Sequence, residues 1–218
     1  MRDPFMQAIN NHKKKYFLLR KIKKIIFSYL PDKTKIRINN LLGIDTPMAT
    51  PDRIILEQKI FPYYQRNNKI KKILFVGMDW YTAHYYKYFP DKEYWTIDNQ
   101  KKQRKWAKKN HIVDGVENLY RYFEAEYFDL IFFNGVYGFG VNSKKQCEVA
   151  FQSCYDHLRA EGEFVLGWDN HPKILARTIP LKKIENIKKF KQKIFPPLQT
   201  WRYYSESNAR KVYDFYVK

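Results

Sequence analysis

Residues 71–98 read KKILFVGMDWYTAHYYKYFPDKEYWTID, and two apolar runs in this stretch decide the fold. Ile73–Val76 is a continuous apolar run that stops at Gly77, which is typical of a strand covered on both faces in a parallel sheet. A second run, Tyr94–Ile97, ends at Asp98. The pattern predicts two parallel strands, with a glycine turn after the first and an acid at the carboxyl end of the second.

The segment between the two strands predicts a short helix, Thr82–Phe89, because Pro90 cannot continue it. A glycine turn after one strand and an acid about 20 residues later form the arrangement that holds a ribose in doubly wound sheets. Gly77 and Asp98 fit that arrangement. Residues 78–81 carry no further glycine, so a pyrophosphate finds no obvious cradle in this turn.

Further apolar runs, each bounded by turn residues, follow along the chain. They predict strands at His111–Asp114, Phe128–Phe133, Glu163–Trp168, Thr200–Tyr204 and Lys211–Val217, the last two as an antiparallel hairpin. Helices are predicted at Thr50–Tyr64, Gln100–Asn110, Val116–Phe123 and Ser143–Arg159. The alternation predicts an α/β fold with a doubly wound, mainly parallel sheet that a C-terminal antiparallel hairpin completes.

Four motifs carry a resemblance to a known family. They read ILFVGMD for the first strand and its turn, WTID for the acidic second strand, FDLIFFNG for the fourth strand, and LRAEGEFVLGW for the turn into the fifth. In this order and spacing the chain resembles the class I, Rossmann-like S-adenosylmethionine-dependent methyltransferases of the small stand-alone bacterial type. The resemblance begins near Pro51 and implies a methyltransferase domain over residues 51–218, with S-adenosylmethionine as the cofactor.

The cofactor site that this resemblance implies lies at the carboxyl ends of the strands. Its predicted residues are Gly77, Asp79, Asp98, Asn99, Asp114, Asn134 and Gly135. Gly77, Asp98 and Asn134 follow neighbouring strands and would lie together at one edge of the sheet. Asp114 has two open interpretations, since it either caps the next helix or reaches the adenine amine of the cofactor.

The loop Asn134–Gly140 holds three glycines among aromatic residues and is predicted to line the acceptor. Its sequence departs from the Asp/Asn-Pro-Pro-aromatic motif of the amino methyltransferases, because no proline follows Asn134. This argues against an adenine or glutamine amide as acceptor. Tyr137, Phe139 and Trp168 are the predicted acceptor contacts, and the expected acceptor is a small molecule, a sugar or a lipid-linked saccharide rather than RNA.

Catalytic groups are predicted in the segment that follows the fifth strand. Methyl transfer needs little beyond orientation, but a hydroxyl acceptor would be helped by a base, and Asp169 and His171 are the candidates by position. The alternative for His171 is a role in stabilising the loop before Pro172.

Residues 1–50 are predicted to form a basic N-terminal helical appendage and connector. Within Tyr16–Leu30 the apolar residues recur mostly at helical spacing, and Lys13–Lys15 add positive charge. Such a helix, over residues 13–30, either lies on an anionic membrane surface or packs on the main domain or on a partner chain.

Composition leaves a second class of function open. The 218 residues carry a formal net charge of +19, with 44% hydrophobic and 18% aromatic residues. The charge indicates a polyanionic partner, although the codon bias of an AT-rich genome would also enrich lysine. The alternative function is therefore a noncatalytic module on a degenerate methyltransferase fold, or an RNA methyltransferase, with Lys101–Lys109 and Lys182–Lys193 holding RNA or another polyanion.

The cysteine and histidine residues bear on the cellular compartment and on metal binding. Cys147 and Cys154 are seven residues apart in a predicted helix and are poorly placed to bridge, which favours a reducing cytoplasm. The five histidines and two cysteines show no metal-ligand spacing, so no metal is predicted. No apolar run reaches the length of a membrane-spanning helix.

Overall fold

The computed structural model of the chain describes residues 29–31, 34–35, 38–39, 50–205 and 210–218. The chain divides into two compact units, residues 1–46 and 47–218, and the strands described lie in the second. The predicted N-terminal helix lies outside the described residues apart from Tyr29 and Leu30. The predicted domain boundary after residue 50 and the membrane contact of residues 13–30 stay predictions.

A single eight-stranded sheet organises the described part of the second unit. Its strands are β1 (Lys72–Val76), β2 (Glu93–Ile97), β3 (Asn110–Ile112), β4 (Phe128–Asn134), β5 (Leu158–Asp169), β6 (Lys191–Gln192), β7 (Arg202–Tyr204) and β8 (Lys211–Val217). The order is β3-β2-β1-β4-β5-β8-β6, with β7 also paired to β8. Strands β1 to β5 are parallel, and β8 is antiparallel to its three partners. The predicted fold class is confirmed.

Strands β1 and β4 lie in the interior of the sheet, and most of their side chains are apolar toward both faces. Ile73 and Phe75 pack in the layer beneath the first helix, while Leu74 and Val76 pack in the opposite layer. This alternation follows from the two-residue period of a strand. The continuous apolar run therefore predicted a doubly covered strand correctly.

Helices cover both faces. The first helix is α-helical over Pro51–Ile55 (α1), makes a π turn over Leu56–Ile60 and is α-helical again over Phe61–Arg66 (α2). Its buried side includes Leu56, Ile60, Phe61 and Tyr64, as expected of a helix that leads into the sheet. Helix α3 (Lys144–His157) begins at Ser143, which forms a capping box with Gln146. None of the described helices combines the length and apolar character needed to cross a membrane.

Three predicted helices between the strands were wrong in type. The chain forms 3₁₀ turns at Trp80–Thr82, Tyr85–Tyr88, Lys101–Trp106 and Val116–Arg121 instead. Each segment is short, and the first turn of an α-helix fixes several backbone dihedrals in return for one hydrogen bond. Short 3₁₀ turns form here instead, because packing against the sheet stabilises them.

The C-terminal hairpin is confirmed and surrounds a buried charge. Arg202 in β7 pairs with Asp214 in β8 across the register Arg202↔Asp214, with Nε–Oδ1 and Nη2–Oδ2 distances of 2.6 and 2.7 Å. Asp214 is fully buried and also accepts a hydrogen bond from Trp168 Nε1 at 3.0 Å. This bidentate pair holds β7 against β8 beside the last residues of β5.

The turn after β1 requires glycine. Gly77 has a φ of +90°, and a Cβ at this position would lie 2.7 Å from Val136 Cγ2 and 3.1 Å from the Asn134 carbonyl oxygen. Positive φ and close approach to the loop after β4 both exclude a side chain. The absence of a side chain at Gly77 therefore allows the carboxyl ends of β1 and β4 to lie close to each other.

We expect Gly77→Ala to lower the free energy of unfolding by about 2 to 5 kcal/mol, the sum of a left-handed backbone penalty and overpacking. Urea unfolding followed by circular dichroism measures it. Gly140→Ala is the matched control, because a Cβ there meets no atom within 4 Å, and its change should stay within about 0.5 kcal/mol. Equal stability of the two variants would contradict the assigned constraint.

Candidate functional site

A cavity of about 240 Å³ lies at the carboxyl ends of β1, β2 and β4. The sheet order reverses between β1 and β4, and such a switch point leaves a crevice where ligands bind in doubly wound folds. All of the residues predicted for the cofactor line this cavity, namely Gly77, Asp79, Asp98, Asn99, Asp114, Asn134 and Gly135. The structure thus brings the predicted set together, while its role in binding stays a prediction.

Asp98 is held in place by backbone N–H groups of the turn after β1 and of the segment that follows β2. Its Oδ2 accepts a hydrogen bond from the Met78 N–H at 2.8 Å, and its Oδ1 accepts one from the Gln100 N–H at 2.8 Å. The Gly77 N–H donates to the Ile97 carbonyl oxygen at 2.9 Å. Each carboxylate oxygen keeps acceptor capacity, so Asp98 can still accept hydrogen bonds from the hydroxyls of a ligand.

Asp114 does not cap the following 3₁₀ turn, because the N-cap is Gly115 and no side chain caps this turn. Its Oδ1 accepts hydrogen bonds from the Gly115 N–H and from Asn118 Nδ2, each at 2.7 Å, and its Oδ2 accepts one from the Tyr122 hydroxyl at 2.9 Å. The hydrogen bond from Asn118 and these other donors hold the pKa of the Asp114 carboxyl below its usual range. Contact with an adenine amine stays a prediction.

Asn134 lines the cavity, and its side-chain amide is buried with unused hydrogen-bonding capacity. The residue is only 8% exposed, and neither its Nδ2 nor its Oδ1 has a hydrogen-bond partner among the described residues. Gly167 in β5 makes room for it, since a Cβ there would lie 2.2 Å from Asn134 Oδ1. A buried amide without partners costs about 1 to 3 kcal/mol, which a polar ligand would recover.

The predicted acceptor contacts are divided between two places. Phe139 is 50% exposed and lines the cavity beside Asn134. Tyr137 and Trp168 instead line a separate depression of about 620 Å³ together with Trp201. Tyr137 is 2% exposed and its hydroxyl donates to the Ile179 carbonyl oxygen, so it packs as a core residue.

Asp169 and His171 do not line the cavity. Asp169 Oδ1 accepts a hydrogen bond from the His171 N–H at 2.8 Å, and His171 Nδ1 accepts one from the Lys173 N–H at 3.2 Å. His171 thereby caps the short helix α4, Pro172–Leu175. These contacts match the loop-stabilising alternative, and the role of either residue as a base stays a prediction.

Sequence reasoning missed Lys211, the first residue of β8. It lines the cavity, is only 6% exposed, and places its Nζ 5.3 Å from the centre of the Phe139 ring. The sequence of β8 itself contained a pattern that could have identified Lys211. Lys211 shares a strand face with Tyr213 and Phe215, both of which are buried, so a lysine stands where the alternation calls for a core residue.

Burial is the main influence on the charge of Lys211. It lowers the pKa of the Lys211 ammonium to about 8, and the nearby Arg53 guanidinium lowers it further, while Asp169 and Asp52 act in the opposite direction. Arg53 is itself held by Tyr85, whose hydroxyl oxygen accepts from Nη1 at 2.8 Å. A lysine with this pKa is partly neutral near physiological pH.

No protein-family model matches the chain, and no curated protein matches it in sequence. Solved structures do match in fold. The N-methyltransferase NodS from Bradyrhizobium japonicum, in complex with S-adenosyl-L-homocysteine, is 13% identical over 78% of this chain and 93% of its own, with a TM-score of 0.53. A TehB-like SAM-dependent methyltransferase from Corynebacterium glutamicum is 16% identical over 85% and 95%, with a TM-score of 0.54.

A SAM-dependent methyltransferase from Archaeoglobus fulgidus is 12% identical over 75% of this chain and 91% of its own, with a TM-score of 0.51. The chain has the fold of the class I S-adenosylmethionine-dependent methyltransferases, which confirms the predicted resemblance at the level of the fold.

Lys211→Met should stabilise the protein in a pH-dependent way. The folded-state pKa of about 8 lies below the ordinary value of 10.5, so the ammonium destabilises the native state fully below pH 8, and this penalty disappears as pH rises toward 10.5. We expect the variant to gain up to about 3 kcal/mol at pH 7. Urea unfolding between pH 6 and 10.5 measures the difference.

The exposed Lys191 provides the matched control, since Lys191→Met removes the same charge without a burial penalty. Its free energy of unfolding should follow that of the wild type at every pH. A stability difference for Lys211→Met that does not change with pH would show that Lys211 titrates normally.

Proposed function

We propose that this protein is an S-adenosylmethionine-dependent methyltransferase. The observation that carries the proposal is the buried amide of Asn134, which has no hydrogen-bond partner among the described residues and belongs to a residue that lines the same cavity as Gly77 and Asp98. An enclosed amide with free donor and acceptor capacity suits a polar ligand, and Asp98 suits the hydroxyls of a ribose. The fold shared with known methyltransferases supports the same ligand.

The residues present fit this cofactor better than a dinucleotide. Gly77 allows close approach of the ligand to the backbone, and the segment after it holds Asp79 in a capping box with Thr82 rather than presenting free N–H groups to a phosphate. Asp98 would hold the ribose, while Asp114 and the buried Val116 would lie at the adenine end. A ligand that has a ribose and an adenine but no phosphate can make all of these contacts.

When bound, the cofactor supplies an activated methyl group, so the protein has to orient the acceptor and exclude water. Phe139, half exposed at the cavity, offers an aromatic face to the acceptor. We infer that the acceptor is a small molecule, a sugar or a lipid-linked saccharide, since aromatic surfaces suit the apolar faces of such molecules. Asp169 and His171, the bases predicted from the sequence, do not line the cavity, and their role as bases stays a prediction.

Asp98→Ala should weaken binding of S-adenosylhomocysteine by about 10 to 100 fold, the cost of losing about 1.5 to 3 kcal/mol of hydrogen bonds to a charged acceptor. Isothermal titration calorimetry measures the affinity. Asp98→Asn keeps one acceptor oxygen and should lose less. Because Asp98 also supports the turn through Met78, circular dichroism must show that each variant is folded.

The matched control is Asp91→Ala, which removes an exposed carboxylate before the amino end of the same strand, away from the cavity. Its affinity should equal that of the wild type. If wild-type protein does not bind S-adenosylhomocysteine at all, the proposed function fails. If Asp98→Ala binds as tightly as the wild type, the ribose contact is assigned wrongly.

Polyanion binding is the second candidate function, and the exposure of one basic segment favours it. All six lysines and arginines of 101–109 are exposed, namely Lys101, Lys102, Arg104, Lys105, Lys108 and Lys109. Gln100 and Gln103, at the start of this segment, line the cavity. An RNA held on these cations would therefore lie beside the cofactor site.

We expect RNA to bind only through these nonspecific charge contacts, with affinity that falls steeply between 50 and 200 mM salt because counterions are released. Filter binding of a structured RNA at the two salt concentrations measures this. Replacing the six cations of 101–109 by glutamine should remove most of the binding at 50 mM salt. Tight binding that persists at 200 mM salt would instead favour an RNA acceptor.

A further inference from the structure

Lys211 is a buried cation without a direct counterion among the residues that the structure describes. Within the described part of the chain its ammonium forms neither a hydrogen bond nor an ion pair, and its Nζ lies 5.3 Å from the centre of the Phe139 ring. A buried lysine without a partner opposes folding while it is charged. Since Lys211 lines the cavity, its burial points to a role in the function of the cavity.

The order of strands along the carboxyl edge gives Lys211 its position in the cavity. From β3 to β8 the edge presents Asp114, Asp98, Gly77, Asn134 and then Lys211, whose partner in the register is Asp169 of β5. A nucleoside held by Asp98 with its base toward Asp114 extends its other end toward Asn134. Lys211 therefore lies at the end of the cavity remote from the nucleoside.

The surroundings of Lys211 contain both signs of charge. Arg53 and Asp52 of α1 and Asp169 of β5 are the charged groups that act on it, and Arg53 is 3.6 Å from Asp52 between Nε and Oδ2. Since the positive Arg53 is tied to Asp52, the net field does not compensate the burial of Lys211. The neutral amine is thereby made accessible near pH 8.

We propose that the neutral amine of Lys211 is the general base that takes the proton of a hydroxyl acceptor during methyl transfer, a role that rests on the proposed function. Nζ takes the hydroxyl proton while a lone pair of the acceptor oxygen attacks the methyl carbon and displaces sulfur, which keeps the electron pair of the carbon–sulfur bond. The products are the methyl ether, neutral S-adenosylhomocysteine and the Lys211 ammonium, so atoms and charge balance. The acceptor class is an alcohol or phenol.

If Lys211 bound the cofactor instead of acting as a base, its substitution would give a different experimental result. A cation at this end of the cavity could instead pair with the carboxylate of the amino-acid part of the cofactor. In that case Lys211→Met would weaken S-adenosylhomocysteine binding. A general base that acts only on the acceptor leaves this affinity nearly unchanged.

The first measurement is calorimetric binding of S-adenosylhomocysteine to the wild type, Lys211→Met and Lys191→Met at pH 7. We expect all three affinities to agree within about threefold, because the base role adds no ground-state contact with this ligand. A loss of about 10 fold or more in Lys211→Met alone overturns the base role in favour of carboxylate binding. If the wild type does not bind S-adenosylhomocysteine, the proposed function itself is wrong, and this outcome is distinct from failure of the base role alone.

The second measurement follows the ionisation of Lys211 directly. Lysine side-chain Cε–Nζ resonances of isotopically labelled protein are titrated by NMR, and the Lys211 signal is identified by its absence from Lys211→Met. We expect a midpoint near pH 8, in agreement with the lowered pKa. A midpoint above pH 10 leaves too little neutral amine for catalysis and overturns the proposal.

The third measurement is transfer of methyl label from S-adenosylmethionine into a small-molecule cell extract. Lys211→Met should transfer label about 100 to 10,000 fold more slowly than Lys191→Met, the range expected for loss of a general base. The wild-type rate should rise with pH up to about 8. Wild-type rates in Lys211→Met, together with loss of activity in His171→Ala, would overturn the proposal and assign the base to His171.

Discussion

The sharp turn at Gly77 is the constraint on which the rest of the site depends. The Gly77 and Met78 N–H groups bond to the Ile97 carbonyl oxygen and the Asp98 carboxylate, so the end of β1 is tied to the end of β2. The missing side chain at Gly77 lets Val136 and the Asn134 carbonyl approach from β4. Three strand ends are thereby held around one cavity, because backbone hydrogen bonds and close packing both require the same conformation.

The cavity is electrically asymmetric along the edge of the sheet. Asp98 and Asp114 lie toward the β2 and β3 side, where their hydrogen bonds are met by backbone and side-chain donors. Lys211 lies toward the β8 side and lacks such partners among the described residues. The buried Asp214 carboxylate, by contrast, is paired with the Arg202 guanidinium. An uncompensated lysine is a local conflict of the kind that marks functional sites in otherwise consistent folds.

Cofactor and acceptor predictions differed in how well they located residues. Every residue predicted for the cofactor lines the cavity, because each follows the carboxyl end of a strand and parallel strands end at one edge. The predicted acceptor residues depended on loop conformation instead. Tyr137 turned inward to pack against Phe151 and Trp168, and His171 took up the N-cap of α4. Local sequence cannot distinguish an aromatic residue that lines a ligand from one that fills the core.

The sequence by itself determined the strands, the glycine turn and the acidic strand ends, because apolar periodicity and turn chemistry are local properties. It also determined the parallel order expected of the first five strands and the terminal hairpin. Only the tertiary structure decided that three of the predicted helices are 3₁₀ turns. It also decided that the side-chain amide of Asn134 lies against Gly167 without a hydrogen-bond partner among the described residues. It alone brought Lys211 to the cavity, since pairing of β8 with β5 joins residues that are 42 positions apart at Asp169↔Lys211. Burial, and with it the pKa of that lysine, arises from such long-range contacts, which no local pattern encodes.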